Sequence, residues 1–464
     1  MTAQENGASA KPAPKNRTAE ISPARKAAFQ VLLAVERAAT HSDDQLHGKV
    51  INELSAADRN LATALVLGVL RWQIRLDHQL QTLLKRPYAK VDSVVLVALR
   101  LGAFQVLQLD RIPAYAAISE SVELAKRAGH RYASGMVNAV LRQLSTAPPV
   151  QFAEQSAAEL ALAHSHPAWM VERWAGFYGL EAARAICRYG QSQPATTARL
   201  ASPAIEAELV QAGIVLEAGE LLTAAHTVIS GDVTTTEAFR MGRMRIQDEG
   251  SQLVAEIAGC GSRILDCCAA PGGKTLILAE RNPAARILAC EVSLPRHEQL
   301  QKRLAYLGDR VECRKADATT LTEDSIFDLV LADVPCSGTG TLGRNPEIRN
   351  RTSLIAIDRQ AERQRAILAV ALRAVRPGGR IVYSTCSLEP EENEQVVAAV
   401  LAEARNARLI SLEPRIDELL REGILTQPGA ELLRESLTAQ GSLRLLPGRF
   451  HSDGFFISLI ERVD

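Results

Sequence analysis

No cysteine occurs before Cys187, and no two cysteines of the chain stand in C-x-x-C spacing. The eight that are present show no even, paired pattern, and Cys267 and Cys268 are adjacent. A zinc site or a disulfide framework needs regular pairs, so neither is expected, and no metal is assigned. Thiols kept reduced fit a cytoplasmic protein. Long hydrophobic runs are missing too. Nothing approaches the roughly twenty apolar residues of a membrane span, so no membrane partner is expected. The opening stretch MTAQENGASAKPAPKNRTAE has no apolar core, and residues 1–20 read as a short disordered tail rather than a secretory signal. Aromatic residues are scarce at 4% while alanine is abundant, which favours helix. Net charge is absent as well, with 53 basic against 53 acidic residues. That balance hides an asymmetry: the first 150 residues hold 19 Lys and Arg against 12 Asp and Glu. Such an excess suits a polyanion-binding face as readily as a solvated helical surface.

What is present falls into regions. From Ile21 to Leu144 only helical periodicity is found. RKAAFQVLLAVERAA (Arg25–Ala39) spaces its apolar residues for one helix face. Ser55 is a candidate N-cap, with Asp58 three residues on. SVVLVALRLGAFQVL (Ser93–Leu107) is apolar nearly all round and reads as the central helix. A further helix starts at Pro113 and stops at Gly129. LSTAPPVQ (Leu144–Gln151) is a linker by its Pro, Ser and Thr content. From Met244 the pattern becomes strand, loop, helix, repeated. Strands are expected at Ser262–Ala269, Ala285–Val292, Arg310–Asp317, Phe327–Pro335, Gly379–Cys386 and Asp453–Val463. The expected fold is therefore multi-domain. An all-α helical bundle spans 21–147, and a linker with a small α+β connector spans 148–243. An α/β Rossmann-like domain with a mostly parallel sheet spans 244–464.

In an open parallel sheet, ligands bind where the strands end at their carboxyl side. The first strand here runs into DCCAAPGGKT (Asp266–Thr275), whose small residues and glycines let the backbone approach a ligand and open a helix. The glycine spacing is neither that of a phosphate-binding Walker loop nor that of the usual dinucleotide pattern. The next strands end at Glu291, Asp317 and Asp333. A carboxylate at Glu291 suits ribose hydroxyls. Two apolar strands each deliver a cysteine, FDLVLADVPCSGTG giving Cys336 and GRIVYSTCSLEPEEN giving Cys386. A lone cysteine is usually a small buried residue. Two thiols at neighbouring strand ends also suit chemistry in which one attacks and a second assists.

DCCAAPGGKT, ADVPCSGTG and YSTCSLEPEENE resemble the hallmark motifs of RNA 5-methylcytosine methyltransferases of the NOL1/NOP2/Sun family. The helical N-terminus resembles NusB, an RNA-binding fold. The resemblance implies S-adenosyl-L-methionine as cofactor and small-subunit ribosomal RNA as partner, with cytosine-967 of 16S RNA as target. It implies that Cys268, Ala269, Ala270, Pro271, Gly272, Gly273 and Lys274 hold the methionine part. Glu291, where the family usually has Asp, would bind the ribose. Asp317 would lie near the adenine, and Asp333 between cofactor and cytosine. Cys386 would be the nucleophile and Cys336 the thiol that assists release. Lys274 would position Asp333 or lower a thiol pKa. A monomer is expected.

For RNA contact the candidates are the basic loop Thr341–Arg351 and, on the bundle, Arg25, Lys26, Arg71, Arg75, Lys126, Arg127 and Arg131. Competing readings are a transfer-RNA cytosine methyltransferase and a non-catalytic RNA-binding assembly factor.

Overall fold

The structure is a computed structural model that describes residues 20–37, 42–85 and 87–463. The tail expected over residues 1–20 lies outside the described residues except for Glu20. The chain divides into two units, after Gln151.

The first unit is all helix. Its elements are Pro23–Glu36, Ser42–Leu46, Lys49–Asn52, Ala56–Leu83, Ser93–Gln108, Ala114–Arg127 and Ser134–Thr146, with single helical turns between. Ser55 caps the long helix by accepting from the Asp58 N–H at 3.2 Å, as its spacing predicts. Asp92 caps the next helix through the Val94 N–H at 2.9 Å. Every residue from Val94 to Gln105 is buried, which makes Ser93–Gln108 the central helix. Its one guanidinium, Arg100, is held inside by Asp77 at 2.7 Å, Glu36 at 2.8 Å and the Tyr88 hydroxyl at 3.2 Å. A buried charge persists only when its donors are so matched.

The second unit opens with helices Ala157–Ala163, Ala168–Tyr178 and Leu180–Gln191. A small antiparallel sheet follows, from β1 (Thr196–Leu200), β2 (Val215–Ala218), β3 (Ala225–Ser230) and β4 (Met244–Ile246), in the order β2-β3-β1-β4. The sequence places Met244 at the start of the Rossmann-like region. Instead its strand pairs with β1, Met244 opposite Leu200, and closes the small sheet. A three-residue strand has no periodicity of its own, so only the pairing partner reveals which sheet it joins.

The large sheet contains β5 (Arg263–Asp266), β6 (Arg286–Glu291), β7 (Val311–Lys315), β8 (Phe327–Asp333), β9 (Val375–Thr385), β10 (Ala407–Ile410), β11 (Leu443–Leu445) and β12 (Phe455–Arg462). Its order is β10-β12-β9-β8-β5-β6-β7, with β11 on β12. Strands β5 to β9 pair in parallel, and β12 returns antiparallel to β9. Side chains alternate between the two faces. Ile264, Leu329, Leu331 and Val382 enter one core, while Leu265, Val330, Ala332 and Ile381 enter the other. That two-sided burial is why these strands read as nearly continuous apolar runs. Consecutive strands step outward from β5 to β7, and the chain then crosses to β8 on the other side. The switch point lies between β5 and β8, where a ligand crevice belongs.

Among the described residues no helix is long and apolar enough to cross a membrane.

Candidate active site

A cavity of about 300 Å³ opens at the switch point. Cys267, Cys268 and Ala270 from the loop after β5 line it, with Glu291, Val292, Ser293 and Arg296 after β6. Ala316 and Ala318 after β7, the run from Asp333 to Cys336 after β8, Cys386 after β9, and Arg363 complete the wall. Five separate strand ends therefore meet in one place.

The loop gets its shape from its small residues. Gly272 has φ +97°, a conformation that L side chains rarely adopt, and its N–H donates to the Ala269 carbonyl at 2.7 Å. The helix Gly273–Arg281 starts directly after it. Asp266 at the end of β5 accepts from the Thr275 hydroxyl at 2.7 Å, which ties strand to helix behind the loop. Burial pushes its carboxyl up to about 6. Lys274 points from the first turn of this helix to Asp333, Nζ to Oδ2 at 2.7 Å. Its ammonium also sits 5.6 Å above the Phe455 ring. Burial works against its charge, but Asp333 outweighs that and raises its pKa. The second oxygen of Asp333 accepts from the Ser384 hydroxyl at 2.7 Å.

Cys336 and Cys386 lie with their sulfurs 3.3 Å apart. The hydrogen bond shared with Cys386, then burial, push the Cys336 thiol well above the usual range. Lys274 lies within electrostatic reach of Cys386. The loops that carry the thiols are stitched together. Gly340 donates its N–H to the Cys386 carbonyl at 2.9 Å, and a Cβ there would come within 2.8 Å of that oxygen. Glu392, fully buried, accepts from the Ser337 N–H at 2.8 Å and from Gln364 at 3.0 Å. It also accepts from the hydroxyls of Ser337 and Ser387.

Of the acids expected at strand ends, Glu291 and Asp333 face the cavity. Glu291 accepts from the Ser293 N–H at 2.8 Å, and Arg296 stands 3.8 Å from its other oxygen. Arg296 also donates to the Ala270 carbonyl at 2.8 Å, linking the loop to the end of β6. Asp317 lies between two wall residues but turns one oxygen back onto Thr319, accepting from its N–H at 2.9 Å and its hydroxyl at 2.8 Å. The Thr319 N–H, against some burial, holds its carboxyl below the usual range. Sequence reasoning did not single out Arg296, Arg363, Ser384 or Glu392. Glu392 was legible only as part of the PEEN segment.

The basic candidates fare differently. Arg344 is bound to Asp453 at 2.9 Å and Asp248 at 3.0 Å. Arg349 is 1% exposed and donates to the Ser165 and Gly190 carbonyls at 2.9 Å. These two arginines hold the second unit together and present no open charge to a polyanion. On the bundle, Arg25 and Arg71 are buried, and Arg25 pairs with Glu120 at 2.8 Å. Lys126 and Arg127 flank Glu123 at 3.5 and 3.3 Å.

An open, mostly parallel sheet with a glycine-turned loop and strand-end carboxylates around one crevice defines the Rossmann-like class of α/β enzymes. The comparisons narrow the class. Residues 259–461 match the family described as 16S rRNA methyltransferase RsmB/F, and residues 22–146 match the NusB family. "Probable ribosomal RNA small subunit methyltransferase B" of Bacillus subtilis is 35% identical over 459 residues, 94% of this chain and 98% of that protein. Ribosomal RNA small subunit methyltransferase B of Pseudomonas putida is 30% identical, over 89% of this chain and 95% of that protein. The crystal structure of PH0851 matches with a TM-score of 0.76 at 22% identity, covering 96% of this chain and 100% of that one. The last likeness speaks for the fold alone. The chain belongs to the RsmB/F family of 16S rRNA methyltransferases and carries a NusB-family domain ahead of its methyltransferase domain.

Proposed function

We propose that the chain methylates C5 of a cytosine in 16S ribosomal RNA, cytosine-967, through a covalent bond between Cys386 and C6. The observation that carries this reading is the pair of sulfurs 3.3 Å apart on the wall of a cavity shared with Asp333.

The residues present suit S-adenosylmethionine. A cavity of about 300 Å³ is at the small end of the range for cofactor clefts, roughly 300–1,000 Å³. Its alanine and valine lining offers an apolar bed, and Glu291 offers a carboxylate for ribose hydroxyls. Cys268 and Ala270 would border the methionine part, with Ala269 and Pro271 to Lys274 shaping the loop behind it. Asp317 would lie at the adenine end. Bound there, the group supplies a methyl on a sulfonium, an electrophile for a carbanion-like carbon.

The protein's own groups do the rest. Cytosine C5 is too weak a nucleophile to take a methyl unaided. The Cys386 thiolate adds to C6, and the electron pair released makes C5 carbanion-like. The Lys274 ammonium lies within electrostatic reach of the attacking sulfur. Asp333, held from both sides by Lys274 and Ser384, would face the N3 edge of the base, where N3 takes a proton from solvent as charge develops and the carboxylate holds that N–H. Once C5 carries its methyl, Cys336 relays the C5 proton outward, passing its own proton to solvent as it takes that one; the electron pair left at C5 restores the C5–C6 double bond, and the C6–sulfur bond breaks with its pair returning to Cys386. The NusB-family unit would hold the RNA of a monomeric, cytoplasmic enzyme.

Bisulfite sequencing of 16S ribosomal RNA from a strain lacking this gene tests the reading. Cytosine-967 should read as unmethylated and regain protection when the gene is restored. Full protection in the deletion strain would overturn it.

A further inference from the structure

Glu392 does not line the cavity, yet it grips the residue that follows each thiol. Ser337 comes after Cys336 and Ser387 after Cys386. Both hydroxyls donate to the same Glu392 oxygen, while the Ser337 N–H and Gln364 hold the other. Gln364 also donates to the carbonyl of Pro335, just before Cys336, at 2.9 Å. The Tyr383 hydroxyl, from the strand that delivers Cys386, donates to the Glu392 carbonyl at 2.6 Å. A carboxylate is a costly group to bury, and an apolar side chain would fill the same space with less loss. Burial does raise the Glu392 carboxyl above its usual range. What a carboxylate adds is directional: donors from two loops converge on one point.

We propose that Glu392 is a positioning residue that sets the separation of Cys336 and Cys386. This rests on the reading that both thiols act on one base. C5 and C6 are bonded neighbours, so the two sulfurs must be held a few ångströms apart while the base enters. The 3.3 Å spacing meets that need, and the Glu392 bridge spans the two loops that define it.

Closure of the pair to a disulfide measures the spacing without any RNA. Diamide takes two electrons and two protons from a thiol pair, and mass spectrometry of the joined peptides follows the bond. In the full-length protein, Glu392→Gln keeps the size but turns a donor toward two hydroxyls. It should slow closure about tenfold and lower kcat for RNA methylation about tenfold, with cofactor affinity unchanged. Ser337→Ala removes one hydroxyl donor and should slow closure by a smaller factor. Closure at the wild-type rate in both variants overturns the proposal. If Glu392→Gln also loses cofactor binding, its fold is damaged and Ser337→Ala decides: slowed closure supports the proposal, unchanged closure overturns it. A wild-type protein that closes its thiols yet methylates no RNA would defeat the methyltransferase reading. The closure rates of the variants would still decide the role of Glu392.

Discussion

On the thiol side of the cavity both oxygens of Asp333 and both of Glu392 are taken by donors of the protein itself. On the other side Glu291 and Asp317 each accept hydrogen bonds at one oxygen, among the described residues. Arg363 lines the same wall and makes no hydrogen bond or ion pair with the described residues. The difference follows from what each side must do. Groups that act on reacting atoms gain from being fixed before the substrate arrives. Groups that recognise a ligand need open valences for the ligand to complete, because a buried polar atom left unpaired is expensive. The thiol side is thus built as a finished network, and the cofactor side as an unfinished one.

If that division holds, substitutions on the thiol side should change chemistry, and those on the cofactor side should change affinity. The largest effect belongs to the thiols. Cys386→Ala should lose all measurable methylation and form no protein–RNA bond. Cys336→Ala should still attack and accept the methyl, then stall, leaving an adduct that survives denaturing electrophoresis. An adduct from Cys386→Ala alone would reverse the assignment. Two unfolded proteins that trap no RNA would reduce both thiols to packing.

Next comes the ion pair that anchors Asp333. Lys274→Met leaves a carboxylate facing only Ser384. Losing one partner of a buried pair costs about 3–5 kcal/mol, and partial exposure here favours the low end, about 3 kcal/mol. Urea denaturation measures the stability, and single-turnover methylation should fall with it. A variant as stable and as fast as wild type would show that the network needs no cation.

Asp266, behind the loop, tests the floor between the two sides. Its carboxyl rises from an ordinary value of 3.8 to about 6 through burial. A pKa raised by folding contributes stability that is complete below the unfolded value and is lost as pH climbs through the folded one. The wild type should therefore lose about 2–3 kcal/mol between pH 4 and pH 7 relative to Asp266→Asn. Denaturation of both proteins across that range measures the difference, and parallel curves would refute it.

Of the strands that build the cavity, β5, β6, β8 and β9 were legible as apolar runs buried on both faces, whereas the edge strand β7 is polar and half-exposed. β10 and β11 were not legible, since Ala407–Ile410 and Leu443–Leu445 are too short to show a period and exist by pairing with β12. Charge has a related limit. A count of arginines does not tell a paired guanidinium from an open one: the partners of Arg25 in the bundle and of Arg349 in the second unit lie 95 and 184 residues away. Sequence places an acid at the end of each strand without telling which way it turns. Asp333 and Asp317 look alike there, yet one sits in the wall and the other bends toward its own turn. Glu392 hid in the same way: its motif was visible, but its function as a bridge requires Ser337, 55 residues earlier in the chain.

The smallest effect probes the unfinished side. Glu291 already accepts from the Ser293 N–H, so its remaining oxygen, with Arg296 loosely opposite, is the one left for a ribose hydroxyl. Glu291→Ala removes one charged hydrogen bond to the ligand, worth about 1.5 kcal/mol or roughly tenfold in Kd. The rate at saturating cofactor should stay near wild type, because Asp333, Lys274 and both thiols are untouched. Glu291→Asp keeps the charge on a shorter arm and should fall between the two. Calorimetry gives the affinity, and single-turnover methylation gives the rate. A Glu291→Ala protein that binds S-adenosylmethionine as tightly as wild type would put the ribose elsewhere. One that binds normally but reacts slowly would break the division itself, since a recognition group would then be acting on the chemistry.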